Sequence, residues 1–307
     1  MNDCLFTKAS LELKNNQIEF AIVSDIHIAR DRDKRNDYVF DDNMNPLSGE
    51  AYMLQQFCNR IRASGEKGHF YDTKHRLILL GDIINGGECG YTDCYTSRAY
   101  KLLQSTLEPW IYTGHIIYIP GNHDREAKFY STVAKFPRKS VVETIDYRTK
   151  KNYFYSEGGI IFEHGNKFDC LCSGKIILGM MGDFASDVVV NLCSPDLEDL
   201  LRGRSYYNDH GADNSIRMNP ENAVIKTMNS ECRRVANGAL KLLSQHPECH
   251  TIICGHTHQH PVKIIANKDG RQLVYYNTGK FSRDGYLNVI VEQSDNGSWK
   301  MIWKEIY

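Results

Sequence analysis

The chain has 307 residues, 41% hydrophobic and 24% charged, with a formal net charge of −1. This is the composition of an ordinary globular protein, long enough for one large α/β domain or two smaller ones. Balanced charge leaves no global basic field, so nucleic acid is not expected as a stable partner.

The opening residues, MNDCLFTKASLELKNN, lack the charged start and apolar core of a secretory signal. QIEFAIVSDIH (17–27) then reads as a strand running into a loop, and 31–47 as a polar surface loop. A helix-like pattern follows at about 48–63, a strand at RLILLGD (76–82), a second helix-like pattern at 92–109 and a strand at HIIYIPGNHD (115–124). Such alternation is the signature of a layered α/β fold that binds ligands beyond the carboxyl ends of its strands. YFYSEGGIIFEHG (153–165) has the look of a hairpin around Gly158 and Gly159.

Residues 170–248 are rich in helix formers and show no clear strand, so they read as a helical insertion, with 1–169 and 249–307 forming the core. Its apolar stretch 175–193 carries Asp183 and Asp187 in the middle, which suits a packed or lid helix rather than a membrane span. Strand-like runs at 262–265, 272–276, 286–292 and 299–303, divided by KDG, RDG and DNG, predict a second, largely antiparallel sheet packed on the first. Ten dispersed cysteines without a CxxC pair point to reduced thiols and a cytoplasmic location, and no transmembrane segment is expected.

The strand ends carry the chemistry. SDIH supplies Asp25 and His27, LLGD supplies Asp82, PGNHD supplies Asn122, His123 and Asp124, FEHG supplies His164, and CGHTHQH supplies His256 and His258. In that last stretch imidazoles two apart share a face at the end of an apolar strand. Any one of these residues would pass as an ordinary turn or cap. Five clusters, each at the end of an apolar run and four of them beside Gly or Pro, form a set. Mixed carboxylate, amide and imidazole donors suit manganese, iron, zinc or nickel better than calcium, and the lack of cysteine argues against a structural zinc site.

The order D-x-H, G-D, G-N-H-D, H-G, G-H-x-H resembles the calcineurin-like metallophosphoesterase superfamily over about residues 18–280. The resemblance implies a four-layer αββα sandwich with the helical insertion as a cap. It implies two divalent metal ions, manganese first, with iron or zinc able to take the same donors. Carried over by position, Asp25, His27 and His258 hold one ion, Asn122, His164 and His256 the other, and Asp82 bridges both. A metal-bound hydroxide then attacks phosphorus, and His123 stabilises the transition state and protonates the leaving oxygen. Asp124 is the candidate to orient His123. His260 lies outside the pattern.

The chain departs from the relatives at two points. Serine/threonine protein phosphatases of the superfamily carry GDxxDRG, whereas this chain has GDIINGG: Asn85 replaces the Asp that would orient the histidine, and the phosphate-binding Arg is absent. UDP-2,3-diacylglucosamine hydrolases are architecturally similar, with a helical cap before GHTH and an NTG segment like that of YYNTGKF (275–281). They have GNRD where this chain has GNHD, so their substrate does not transfer. Within the insertion, Arg202, Arg204 and Tyr206 are candidates to bind the substrate's phosphate and stack on a base or sugar.

The reading is a dinuclear metal-dependent phosphoesterase that hydrolyses a phosphate monoester, diester or pyrophosphate of a small-molecule or nucleotide-like substrate. A phosphoprotein phosphatase is the alternative, and a non-catalytic metal-binding interaction scaffold is the alternative of another class. All seven ligand positions and His123 are present, which favours the enzyme. The sequence leaves the oligomeric state open.

Overall fold

Alternation along the strands dictates the layers. In β1 (Gln17–Val23), Phe20 and Ile22 face one way and Ala21 and Val23 the other, all buried, and β2 (His75–Leu79) repeats this with Ile78 against Leu77 and Leu79. The structure is a computed structural model that describes residues 4–6, 13–31, 37–113, 115–124, 154–169, 217–218 and 230–306. Helices α1 (Gly49–Glu66), α2 (Gly86–Cys89), α3 (Tyr91–Thr96) and α4 (Arg98–Thr113) precede β3 (Ile116–Tyr118). The hairpin β4 (Tyr155–Glu157) and β5 (Ile160–Phe162) follows, as the Gly158–Gly159 pair predicts. Then come β6 (Arg217–Met218), α5 (Ser230–Ser244), β7 (Thr251–Cys254), β8 (Val262–Lys268), β9 (Arg271–Asn277), α6 (Phe281–Asp284), β10 (Leu287–Gln293) and β11 (Trp299–Ile306).

Two mixed sheets result, with strand orders β11-β10-β1-β2-β3 and β4-β5-β7-β9-β8-β6. Their facing side chains, among them Phe20, Ile22, Ile78, Ile160, Phe162, Ile253 and Val289, form the central core. The outer face of the first sheet packs on Leu54, Phe57 and Ile61 of α1 and Leu103, Leu107 and Trp110 of α4. The outer face of the second packs on Val235, Ala236, Ala239, Leu240 and Leu243 of α5. The architecture is therefore the expected four-layer αββα sandwich, in which each fully buried Ile or Phe contributes roughly 1.5–3 kcal/mol of transfer free energy.

Three features differ from the sequence reading. The runs at 286–292 and 299–303 do not extend the second sheet. Instead they complete the first, β10 pairing antiparallel with β1 and β11 antiparallel with β10. The second sheet is mixed, since β5, β7 and β9 run parallel. The 92–109 pattern is broken by Ser97, whose extended backbone separates α3 from α4. Of the segment read as an insertion, Ser230–Ser244 is the helix that covers the second sheet; 170–216 and 219–229 lie outside the described residues, the apolar stretch 175–193 included.

β1, β2 and β3 run parallel, as do β5 and β7, so the loops after all five strands meet at one end of the sandwich. Backbone bonds lace them together: Asp25 N–H donates to Gly81 O (3.0 Å) and His27 N–H to Asp82 O (2.9 Å), while Gly255 N–H donates to His164 O (2.9 Å).

Near the opposite end, His69 and His75 stack at 4.6 Å beneath Phe6, and none of their four ring nitrogens has a hydrogen-bond partner. Burial, then the charge of His69, pushes His75 down to about 4, and burial lowers His69 too. Both therefore bind protons more readily unfolded than folded. Their contribution is complete above the unfolded value near 6.5 and fades as pH falls, for His75 down to about 4 at roughly 1.4 kcal/mol per pH unit. Urea unfolding between pH 7 and 5 is expected to show a falling midpoint, flattened in His75→Gln; an equally steep fall in the variant would refute the assignment.

Candidate metal centre

Every ligand candidate lies two to four residues past a strand. Asp25, His27, Asp82, His256 and His258 all have positive φ, between 49° and 72°, a region that non-glycine residues seldom enter and that costs on the order of 1 kcal/mol or more each. The strained turns swing these side chains back over the strand ends. The glycines in the motifs make the space. A Cβ on Gly121 would run into the Asp82 carboxylate, and one on Gly255 into that of Asp25.

Two clusters form, with Asp82 between them. In the first, Asp25 Oδ1 lies 3.2 Å from His258 Nε2 and 3.8 Å from His27 Nε2, and the two imidazole nitrogens are 2.8 Å apart. In the second, Asp82, His164 and His256 each offer a ligand atom within 4.8 Å of the others. Asp82 Oδ2 is 3.1 Å from His164 Nε2 and 3.8 Å from His27 Nε2, so one carboxylate oxygen reaches both groups. Asp25, Asp82, His164 and His256 form a buried floor, while His258 is 42% exposed and opens the site to solvent.

The donors suit divalent cations. Asn122 Oδ1 is buried with no hydrogen-bond partner, a costly state for a polar atom that a bound cation would relieve. His164 Nδ1 faces Leu80 O at 2.8 Å, which fixes a proton on Nδ1 and turns Nε2 towards Asp82. Burial works to raise the carboxyls, but His258 and His27 override it at Asp25, and His164, then His123, at Asp82; both stay well below the usual range. Burial likewise works against the His164 imidazolium, yet Asp82 holds it up to about 10, and a cation between the two would neutralise Asp82 in the proton's stead. Burial pushes His27 down to about 4, keeping it neutral and able to ligate.

The structure corrects the reading of Asp124. Its buried carboxylate does not hold His123; it accepts the backbone N–H groups of Gly121 and Ile83 (2.8 Å to the latter), tying the β3 loop to the β2 loop. Burial, then the charge of Asp82, pushes it up to about 7. The partner of His123 is Asn85, with Nδ1 and Oδ1 2.8 Å apart, so the residue that stands where the relatives have Asp still supplies an oxygen. His123 N–H also donates to Asp82 Oδ1 (2.9 Å), and its ring groups with His27 and Asp82. His260 turns away to Asp284 at 3.1 Å, in keeping with its place outside the motif.

Sequence reasoning missed Asp169 and Glu231, which form a further buried group with His256. Asp169 follows a short 3-10 turn (Asn166–Phe168) five residues after His164, and Glu231 lies in the first turn of α5; neither belongs to a motif. Arg202, Arg204 and Tyr206 lie outside the described residues.

An αββα sandwich with carboxylates and imidazoles gathered at its strand ends offers donor groups that could hold divalent cations. The family model of the calcineurin-like phosphoesterases matches residues 18–260, and the chain belongs to that family. No curated protein matches it. Similar solved structures include a Staphylococcus aureus protein assigned as a 5'-nucleotidase, solved with α-ketoglutarate (13% identity, TM-score 0.45, 94% of this chain and 54% of that one). Others are the NAD nucleotidase of Haemophilus influenzae (11%, 0.38, 95% and 56%) and the calcineurin-like phosphoesterase YfkN of Bacillus subtilis (13%, 0.38, 95% and 90%). The chain thus spans little more than half the length of the first two. Among the described residues no helix is long and apolar enough to cross a membrane.

Proposed function

We propose that the chain is a dinuclear phosphoesterase acting on a monoester, diester or pyrophosphate of a small-molecule or nucleotide-like substrate. One observation carries the reading: a single Asp82 oxygen stands between His27 (3.8 Å) and His164 (3.1 Å), each part of its own ligand group. Asp25, His27 and His258 would hold one ion and Asn122, His164 and His256 the other, with Asp82 shared. The mixed oxygen and nitrogen donors favour manganese, with iron or zinc accepted. When bound, the ions would lower the pKa of a water and neutralise charge on the phosphoryl oxygens.

The chain's own groups do the rest. The buried floor excludes bulk water from one side of the reacting phosphorus and strengthens each electrostatic contact there. His123, oriented through Nδ1 by Asn85, is proposed to stabilise a phosphoryl oxygen and pass a proton to the leaving group. The Arg missing from GDIINGG supports a small substrate over a phosphoprotein. Arg202, Arg204 and Tyr206 are proposed to contact it from the 170–248 segment. The seven described cysteines, all buried thiols without disulfides, fit a reducing compartment such as the cytoplasm.

The test is hydrolysis of p-nitrophenyl phosphate and bis-p-nitrophenyl phosphate by EDTA-stripped protein refilled with Mn²⁺, with bound metal counted. Two ions per chain and at least ~10²-fold restored turnover are expected, the preferred ester giving the bond type. Full activity in EDTA, or saturation at one ion, would refute the proposal.

A further inference from the structure

His164 and His256 belong to the same ligand group, yet they present themselves by opposite devices. His164 gives its Nδ1 to a backbone carbonyl and keeps Nε2 for Asp82. On His256 it is Nε2 that is engaged, 3.4 Å from Asp169 Oδ2 and 4.0 Å from Glu231 Oε1. A ligating imidazole is neutral and carries one N–H, and a carboxylate at one nitrogen draws the N–H there.

We infer that Asp169 is a positioning residue of the metal centre, whose carboxylate takes the Nε2–H of His256 and so leaves Nδ1 as the nitrogen that ligates beside Asp82 and His164. The inference rests on the dinuclear reading above. Asp169 is fully buried, so its contact acts at low dielectric. Arg234 Nη2 lies 3.7 Å from its other oxygen, Oδ1. The carboxylate is thus spanned between a guanidinium and an imidazole, and the guanidinium supplies the balancing positive charge that a further cation would otherwise bring. Glu231 and Arg234 stand one turn apart at the start of α5, which ties the helix over the second sheet to the orientation of His256. The segment His164–Asp169 therefore does two jobs: its first residue ligates, and its last aims the next ligand.

Equilibrium dialysis of the full chain against Mn²⁺, with metal analysis, tests this in wild type, Asp169→Ala and Asp169→Asn. Asp169→Ala is expected to weaken one of the two ions by ~10–100-fold and leave the other within about 2-fold. Asp169→Asn, which keeps an acceptor oxygen for Nε2–H, should recover much of that loss. Wild-type affinity for both ions in Asp169→Ala would overturn the inference. So would three ions in wild type against two in the variant, because Asp169 would then be a ligand itself. Circular dichroism in EDTA reports folding. If the alanine variant does not fold, Asp169→Leu, which fills the space without an acceptor, takes its place, with the same ~10–100-fold loss expected and wild-type affinity overturning the inference. A wild type that holds only one ion refutes the dinuclear reading, while the ratio of variant to wild type still judges Asp169.

Discussion

Asp82→Asn is expected to lower kcat by at least ~10³-fold and to reduce bound metal from two ions to one or none. The substitution is isosteric, and the side-chain oxygen that accepts the His123 N–H can remain. What it removes is charge, and with it a second anionic oxygen. An amide cannot serve two cations at once, so the groups built on His27 and His164 lose the member they share. Stability should not follow activity down. Asp82 raises the neighbouring buried Asp124 to about 7, second to burial, so its removal relieves a like-charge contact. His164, held protonated near 10 chiefly by Asp82, can then discharge rather than stay buried as an unpaired cation. Thermal unfolding in EDTA should thus show a Tm within a few degrees of wild type. Retained turnover with two ions bound would remove Asp82 from the bridging position, and a collapsed Tm would make the loss a folding effect.

The sequence carried the positions of the strand-end residues, because each cluster interrupts an apolar run, four of the five beside Gly or Pro, and such interruptions are local. It carried the layers as well, since the hydrophobic runs of β1, β2 and β7 are continuous, as strands buried on both faces must be. What it could not carry was pairing across long separations. Nothing within residues 286–306 says that they join β1, about 270 residues earlier, rather than their neighbours β8 and β9. The same limit hid the partners of the site. Asn85 looked like a loss when judged against an Asp, but an amide oxygen accepts the same N–H. Asp124 looked like a partner of His123 because it is adjacent, yet successive residues diverge, and its carboxylate goes to two backbone donors instead. Asp169 has no motif around it, and its role exists only once α5 brings Arg234 and Glu231 beside it. The positive φ values at five ligand positions were invisible too, since Asp and His do not announce that conformation as Gly does.

His123→Ala is expected to lower kcat by ~10²–10⁴-fold while both ions stay bound. The variant decides between two roles that the geometry leaves close together, because the ring that groups with His27 and Asp82 could be a ligand or a proton donor. Asn85 supplies the argument for the donor. It engages Nδ1, and the imidazole is thus held by an acceptor that contributes no charge. A ligand needs its free nitrogen as a lone pair in every state, whereas a donor needs it protonated when the leaving oxygen departs. Asn85→Ala should therefore lower kcat by about 10-fold with little change in KM, as befits a residue that acts through another. The double variant should be no slower than His123→Ala alone, since residues that act as a unit are not additive. Additive losses would mean that Asn85 works independently of the histidine. Loss of an ion in His123→Ala would make the histidine a ligand, and the proton for the leaving group would then have to come from water.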